Sequence, residues 1–346
     1  MRSRLMLFML VFACLLAASV GCKEKTAEPN TDVVAEKPGE TQGAQTSAKA
    51  NETTAEAPED GVVGTQKTPL IWKIEGENGP VYMLGTIHLG FDAEKELPKG
   101  VWRKLDQSDV FVMETDLTKA QAEMASSAKL PEGETLEKKL GEEYWKKLDK
   151  RLGGIASQFN SVKPWFIVSI LILKMVPEVN GTPPMDQRLH MYAKRQGKTV
   201  EHLESPQLQL DILEKTLSIE ELKEMLDDFD QQRSDLLAML EYYRQGDLEG
   251  IQKVSFKDRD EKAEMYEVLF YQRNEAWVVK IDEYIKRGNV FMAFGAGHLF
   301  GPRGVLELLE KKGYKPVRVT PEELANAENE APAKDDTPSE DKEAEQ

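Results

Sequence analysis

The sequence predicts an α/β fold: a mostly parallel central sheet with flanking helices and a largely helical middle. Three observations predict it. Short apolar runs alternate with long amphipathic stretches. Two of those runs, in YMLGTIHLG (82–90) and VFMAFGAGHLFG (290–301), stop at a Gly-x-x-His tetrapeptide. Twice, at Gly197 and Gly288, a helical stretch closed by glycine leads back into an apolar strand.

The elements follow in order. Residues 71–74 and 81–84 read as strands around a turn rich in Gly, Asn and Pro. A loop after His88 precedes a short helix opened by Pro98, whose missing N–H is harmless in a first turn, and carried by Val101, Trp102 and Leu105. The run 110–113 is the next strand and stops at Glu114. Strand, helix and strand over about thirty residues is the spacing of a parallel βαβ unit. Residues 119–173 are expected to be helical, including 135–152 and the apolar run 165–175. Asp186 opens the helix DQRLHMYAKRQ, Gly197 closes it, and the strand 199–203 stops at Glu204. Helical stretches fill 206–244, a long helix covers 260–287, and the strand 290–294 runs to His298. A helix over 304–312 and a strand over 316–319 close the body, which is assigned to 67–320.

The ends have a different composition. Arg2 and Arg4 precede an apolar core over 5–18 that is short for a membrane span. The tetrapeptide Ser19-Val20-Gly21-Cys22 resembles a bacterial lipobox. It implies a signal peptide over 1–21, lipidation at Cys22, and an exported chain anchored to the cell or outer membrane on its periplasmic or extracellular face. Ser19 stands where a lipobox usually has leucine, and ordinary cleavage near Gly21 or an uncleaved anchor are the alternatives. Residues 22–66 are polar enough to serve as a disordered tether, and 321–346 as a disordered acidic tail. Cys14 would leave with the signal and Cys22 would carry lipid, which excludes a cysteine nucleophile or cysteine metal site. The net charge is −16, with no basic stripe, so nucleic acid is not an expected partner. An H-E-x-x-H helix, a G-x-S-x-G elbow and a phosphate-binding G-x-x-x-x-G-K-[ST] loop are all missing from the sequence.

Four apolar strands therefore end, in chain order, at His88, Glu114, Glu204 and His298. Were they parallel, these ends would share the sheet edge where open α/β folds place ligands. Two imidazoles and two carboxylates can bind a divalent metal, or can divide the work of acid, base and electrostatic stabiliser. Gly85, Gly295 and Gly297 let the backbone leave the strands sharply and admit a close approach. Arg273 and Asn274 lie in YQRNEAW, on a helix whose buried face is marked by Met265, Leu269 and Trp277; a charged residue there is most often solvated. His190 and His202 lack a small-residue turn and read as ordinary histidines.

Taken together, LGTIHLG after Trp72, FVMETD, DQRLHMYAKRQGKTVEHLES, RNEAW and FGAGHLFGPRGVLELLEKKGYKPVRV resemble the TraB/GumN family, which includes bacterial pheromone-shutdown proteins and the Tiki metalloproteases of animals. The resemblance implies a fold similar to the erythromycin-esterase and ChaN-like group. It also implies a metal-dependent peptidase site at His88, His298 and Glu114, with Glu204, Arg273 and Asn274 as further polar members. On that basis the chain is expected to be a metal-dependent hydrolase of the bacterial cell envelope acting on a peptide or protein. His88 and His298 would bind a divalent ion, Glu114 would be a ligand or general base, and Arg273 would steady an oxyanion or a substrate carboxylate. Manganese, cobalt, zinc and iron all suit such ligands. Two rivals share the same residues: an envelope protein that sequesters a peptide or haem-like ligand without turnover, and a scaffold with a structural metal.

Overall fold

The computed structural model describes residues 66, 68–176 and 183–329. The signal peptide, Cys22, all but the last residue of the tether and residues 330–346 lie outside the described residues. The frame is a sheet of strands β1 (Ile71–Gly76), β2 (Gly79–Thr86), β3 (Val110–Met113), β4 (Thr199–His202), β5 (Val290–Gly295) and β6 (Val317–Arg318). Their spatial order is β4-β3-β5-β2-β1-β6. The neighbours β4, β3, β5 and β2 are parallel, whereas β1 pairs antiparallel with both β2 and β6. The expected alignment of strand ends follows. Thr86 lies opposite Gly295, Met113 opposite Ala293, and Met113 opposite His202. One point was not visible in chain order: β5 inserts between β2 and β3, so the first βαβ unit is parallel without its strands touching.

β3 and β5 are buried at every position, as interior strands of a parallel sheet covered on both faces must be. Helices provide the cover: Lys99–Asp106, Met185–Arg195 and Gln272–Arg287 pack against the strands, and a further layer of helices packs outside them. Pro164–Met175 is apolar nearly all round and buries Trp165, Ile167, Val168, Leu171, Ile172 and Met175. The expected helical middle is broken into Leu117–Ser127, Leu136–Leu152 and Pro164–Met175, the second kinked at Gly141 with φ 77°. The long helix expected over 260–287 is also interrupted. It begins as Ala263–Tyr266, widens into a π-helical turn over Glu267–Tyr271, and resumes as Gln272–Arg287. Such wide turns inside helices frequently mark functional sites, and this one ends two residues before Arg273.

The acidic tail begins later than expected. Pro321–Glu328 is a helix, opened by a capping box in which Thr320 and Glu323 satisfy each other's backbone N–H groups, and it buries Leu324 and Ala327. It lies so close to the Lys99–Asp106 helix that a Cβ on Gly100 would sit 2.2 Å from the carbonyl oxygen of Leu324. At the other end Gln66, assigned to the tether, is buried and its N–H donates to the carbonyl of Glu96 at 2.7 Å.

Candidate functional site

The carboxyl ends of the parallel strands carry their polar residues into one buried cluster, as the pattern of strand ends requires. His88, Glu114, Glu204, Arg273, Asn274 and His298 are each no more than 8% exposed. The β3–β4 ladder continues one step past the strands: Leu203 N–H donates to Met113 O at 2.9 Å and Glu204 N–H to Glu114 O at 2.8 Å. Glu114 and Glu204 therefore stand side by side.

The three glycines of the paired turns serve space. Among the described residues with positive φ, none is Gly85, Gly295 or Gly297. A Cβ on Gly85 would meet Leu299 Cδ1 at 2.6 Å, and one on Gly297 would meet Phe270 Cε1 at 3.0 Å. Gly295 is the informative one. The place its Cβ would take is 3.0 Å from His88 Nε2, 3.3 Å from Glu114 Oε1 and 3.7 Å from His298 Cδ2. One small cradle is thus bordered by both histidines and the first glutamate.

His88 is oriented by a residue that the sequence pattern did not single out. Asp186, in the first turn of the Met185–Arg195 helix, places Oδ2 2.5 Å from His88 Nδ1, while its Oδ1 accepts from Thr86 Oγ1 at 2.9 Å. The carboxylate fixes the proton on Nδ1 and turns Nε2 toward the cradle. Burial alone would lower the basicity of this imidazole, but the charge and hydrogen bond of Asp186 outweigh it and hold the pKa above the ordinary value. The turn itself is pinned by Tyr243, whose hydroxyl donates to Gly85 O at 2.8 Å.

His298 has the opposite surroundings. Asn274 donates its Nδ2 to Arg303 O at 2.9 Å, so its Oδ1 faces His298 Nδ1 at 2.6 Å and accepts the ring proton there. The remaining nitrogen, Nε2, lies 3.1 Å from Arg273 Nη1 and accepts from it. Trp277 and Phe270 enclose the ring at centroid distances of 4.3 and 4.9 Å. Burial first, then the Arg273 charge, push the pKa well below the ordinary histidine value.

Arg273 is the hub, and it is not a solvated surface residue. A guanidinium has five N–H donors, and here each has an acceptor. Nε donates to Glu204 Oε2 at 3.0 Å; Nη1 to Leu269 O at 2.9 Å and to His298; Nη2 to Glu204 Oε1 at 2.6 Å and to Glu114 Oε2 at 2.8 Å. Leu269 belongs to the π-helical turn, which thereby positions the guanidinium. With every donor committed, the expected role of Arg273 as a free oxyanion donor gives way to that of a clamp on both glutamates and His298. Glu204 is further fixed by Trp277 Nε1 at 2.9 Å, and Glu114 by Gly295 N at 2.8 Å and Gln209 Nε2 at 3.3 Å.

The clamp sets the charge. Two buried carboxylates face one guanidinium, so one negative charge lacks a full counter-charge within the trio. Burial raises the Glu114 pKa above the ordinary carboxylate value, against the opposing pull of Arg273 and His88, which favours its neutral form and makes it the carboxyl of the pair suited to proton exchange.

As a metal centre the expected trio fits incompletely. His88 Nε2 and Glu114 Oε1 both border the cradle and have the chemistry of ligands to a divalent ion. His298 does not serve as the third ligand in this arrangement, because both of its nitrogens are engaged by Asn274 and Arg273. Among the described residues no group of three or more His, Cys, Asp or Glu side chains is disposed to hold a metal ion.

The sequence profile of the TraB/PrgY/gumN family matches residues 70–318, which contain every strand and the whole cluster. The chain belongs to the TraB/PrgY/gumN family. Among its curated relatives, the uncharacterized protein YbaP of Escherichia coli (strain K12) is 25% identical over 241 residues, covering 67% of this chain and 88% of YbaP. Metalloprotease TIKI2 of Danio rerio is 24% identical over 308 residues, covering 70% of this chain and 59% of TIKI2. Metalloprotease TIKI1 of Xenopus tropicalis is 23% identical over 314 residues, covering 72% of this chain and 61% of TIKI1. Against the TIKI relatives this family member therefore spans about six tenths of their length. No solved structure matches the chain.

Proposed function

We propose that this TraB/PrgY/gumN-family chain is a hydrolase of peptide bonds, acting on a peptide or protein at the cradle beside Gly295. The observation that carries this reading is the convergence of His88 Nε2 and Glu114 Oε1 on one point, at 3.0 and 3.3 Å from the Gly295 Cβ position. Hydrolysis needs a group to take a proton from water and a group to return one to the leaving amine. His88, backed by Asp186, and Glu114, its pKa raised by burial, are the two groups with the placement and basicity to share that work. Arg273 holds Glu114 and Glu204 in place, and Asn274 fixes the tautomer of His298. A divalent ion held by His88 and Glu114 would polarise the scissile carbonyl; the metalloprotease relatives support that addition. The chain is further proposed to be exported and lipid-anchored through Cys22.

Cleavage of a peptide library by the purified chain, with and without added manganese, cobalt, zinc or iron, tests the proposal. Turnover that disappears in His88→Ala and Glu114→Gln while the fold persists supports it. Tight peptide binding without cleavage under every metal would point instead to a sequestering protein, a reading favoured by the full commitment of Arg273 and His298. Membrane fractionation of Cys22→Ser tests the anchor: a mature-length variant that stays with the membrane contradicts it.

A further inference from the structure

A second site lies between the Lys99–Asp106 and Met185–Arg195 helices, where a cleft of about 390 Å³ is lined by cations in a chain whose net charge is −16. Lys99 and Arg103 are spaced i, i+4 on one helix, and Arg188 and Arg195 are spaced i, i+7 on the other. Between them stand Trp102 and Tyr192, edge to face at a centroid distance of 4.8 Å. Two carboxylates share the cleft. Glu94 pairs with Arg188 Nη2 at 2.6 Å, and Asp106 accepts from Tyr192 at 2.8 Å and lies 3.8 Å from Arg103. They leave the cations in excess. Among the described residues no carboxylate lies within salt-bridge distance of Lys99 or Arg195, and the buried Arg188 Nε has no hydrogen-bond partner. A buried guanidinium N–H without an acceptor is costly, and a ligand oxygen would relieve it.

We propose that this cleft binds the chain's own carboxylate-rich segment, residues 330–346. Positions seven apart on a helix are separated by about 10 Å, so the cations form two rows rather than one point. That spread suits several side chains of an extended chain, whose same-face residues repeat at roughly 7 Å, better than a single compact anion. The aromatic pair offers a flat wall for the intervening apolar groups. The occupant is the chain's own segment: residues 330–346 contain seven acidic residues against two lysines. They follow the helix Pro321–Glu328, whose Glu328 carboxylate lies 3.4 Å from the N–H of Gly100, the residue after Lys99.

The test uses a fluorescein-labelled synthetic peptide of residues 330–346 and the chain stopped after Asn329, which retains every described element. Saturable binding that weakens with salt is expected. Arg188→Ala should bind at least about tenfold more weakly, the order of one lost charge-assisted hydrogen bond. The exposed Arg195→Glu provides a second variant that leaves the Glu94 pair intact, with thermal melts confirming both folds. A peptide with every Asp and Glu replaced by Asn and Gln should not bind. No binding of the acidic peptide, undiminished binding by both variants, or equal binding of the neutral peptide would overturn the proposal. Repeating the titration on the full chain identifies the source. Binding weakened about tenfold or more in the full chain supports occupation of the cleft by the chain's own segment, and unchanged binding overturns it.

Discussion

The two Gly-x-x-His turns share a tetrapeptide and a sheet edge, yet they put their histidines to opposite electrostatic uses. At His88 the ring hands Nδ1 to the Asp186 carboxylate and its pKa is raised. At His298 the ring is wedged between Arg273 and Asn274 under Trp277, and its pKa is driven down. Local sequence delivers a histidine to a place, whereas protonation and available lone pairs are decided by partners about a hundred residues away or on another helix. A repeated motif is therefore weak evidence for a repeated role. Under the proposed function His88 is the group that handles protons or a ligand, while His298 is held as a neutral strut of the Arg273 clamp.

Removing the clamp should have the largest effect. Arg273→Ala leaves Glu114 and Glu204 buried without their counter-charge and should cost about 3–5 kcal/mol in urea unfolding. A loss under about 1 kcal/mol would mean that the carboxylates find other partners. Asp186→Asn attacks the other half. With the orienting carboxylate gone, substrate turnover or metal affinity should fall about 10–100-fold, while the unfolding midpoint moves less than in Arg273→Ala. Unaltered affinity and turnover would make Asp186 a packing residue.

Gly295→Ala tests whether the cradle matters. The new methyl would lie 3.0 Å from His88 Nε2 and 3.3 Å from Glu114 Oε1, so it should abolish occupancy while costing about 1–3 kcal/mol as an overpacked position. Full activity with intact stability would place the proposed hydrolysis elsewhere.

The smallest effect is on the pH dependence of stability. His298 resists protonation in the folded state, so as pH falls below the unfolded value of 6.5 the unfolded chain gains a proton that the folded chain refuses, and stability drops. Its share is at most about 1.4 kcal/mol per pH unit, and the lowered His190 and His202 act in the same direction. His88 acts oppositely: its contribution is present below the unfolded value and is lost as pH rises through the higher folded value. Denaturant melts across pH 5 to 8 should show a shallower acid-side slope in His298→Gln and a steeper one in His88→Gln.

Much of this was legible in the sequence, because parallel strands buried on both faces write continuous apolar runs and their ends are marked by the first polar residue. That is how His88, Glu114, Glu204 and His298 could be placed together. Asp186 was hidden because an acid in a first helical turn has an ordinary explanation in the helix dipole. Arg273 enters the site from the sequence only through the family resemblance, because its five acceptors come from separate parts of the chain and only the fold assembles them. The insertion of β5 between β2 and β3 is likewise a property of pairing that chain order does not encode. The helix after Thr320 is a different case. Its capping box, Thr320 with Glu323, stood in the sequence, but the acidic composition of the segment masked it.

The contrast between the two histidines can be observed directly by following imidazole nitrogen and carbon NMR signals of the full chain through a pH titration, with His88→Gln and His298→Gln for assignment. His88 should protonate above pH 6.5, the ordinary value, and His298 should remain a neutral Nδ1–H tautomer well below it. Two histidines that titrate together, or in the reverse order, would contradict the assignment of proton handling to His88 and of a neutral structural role to His298.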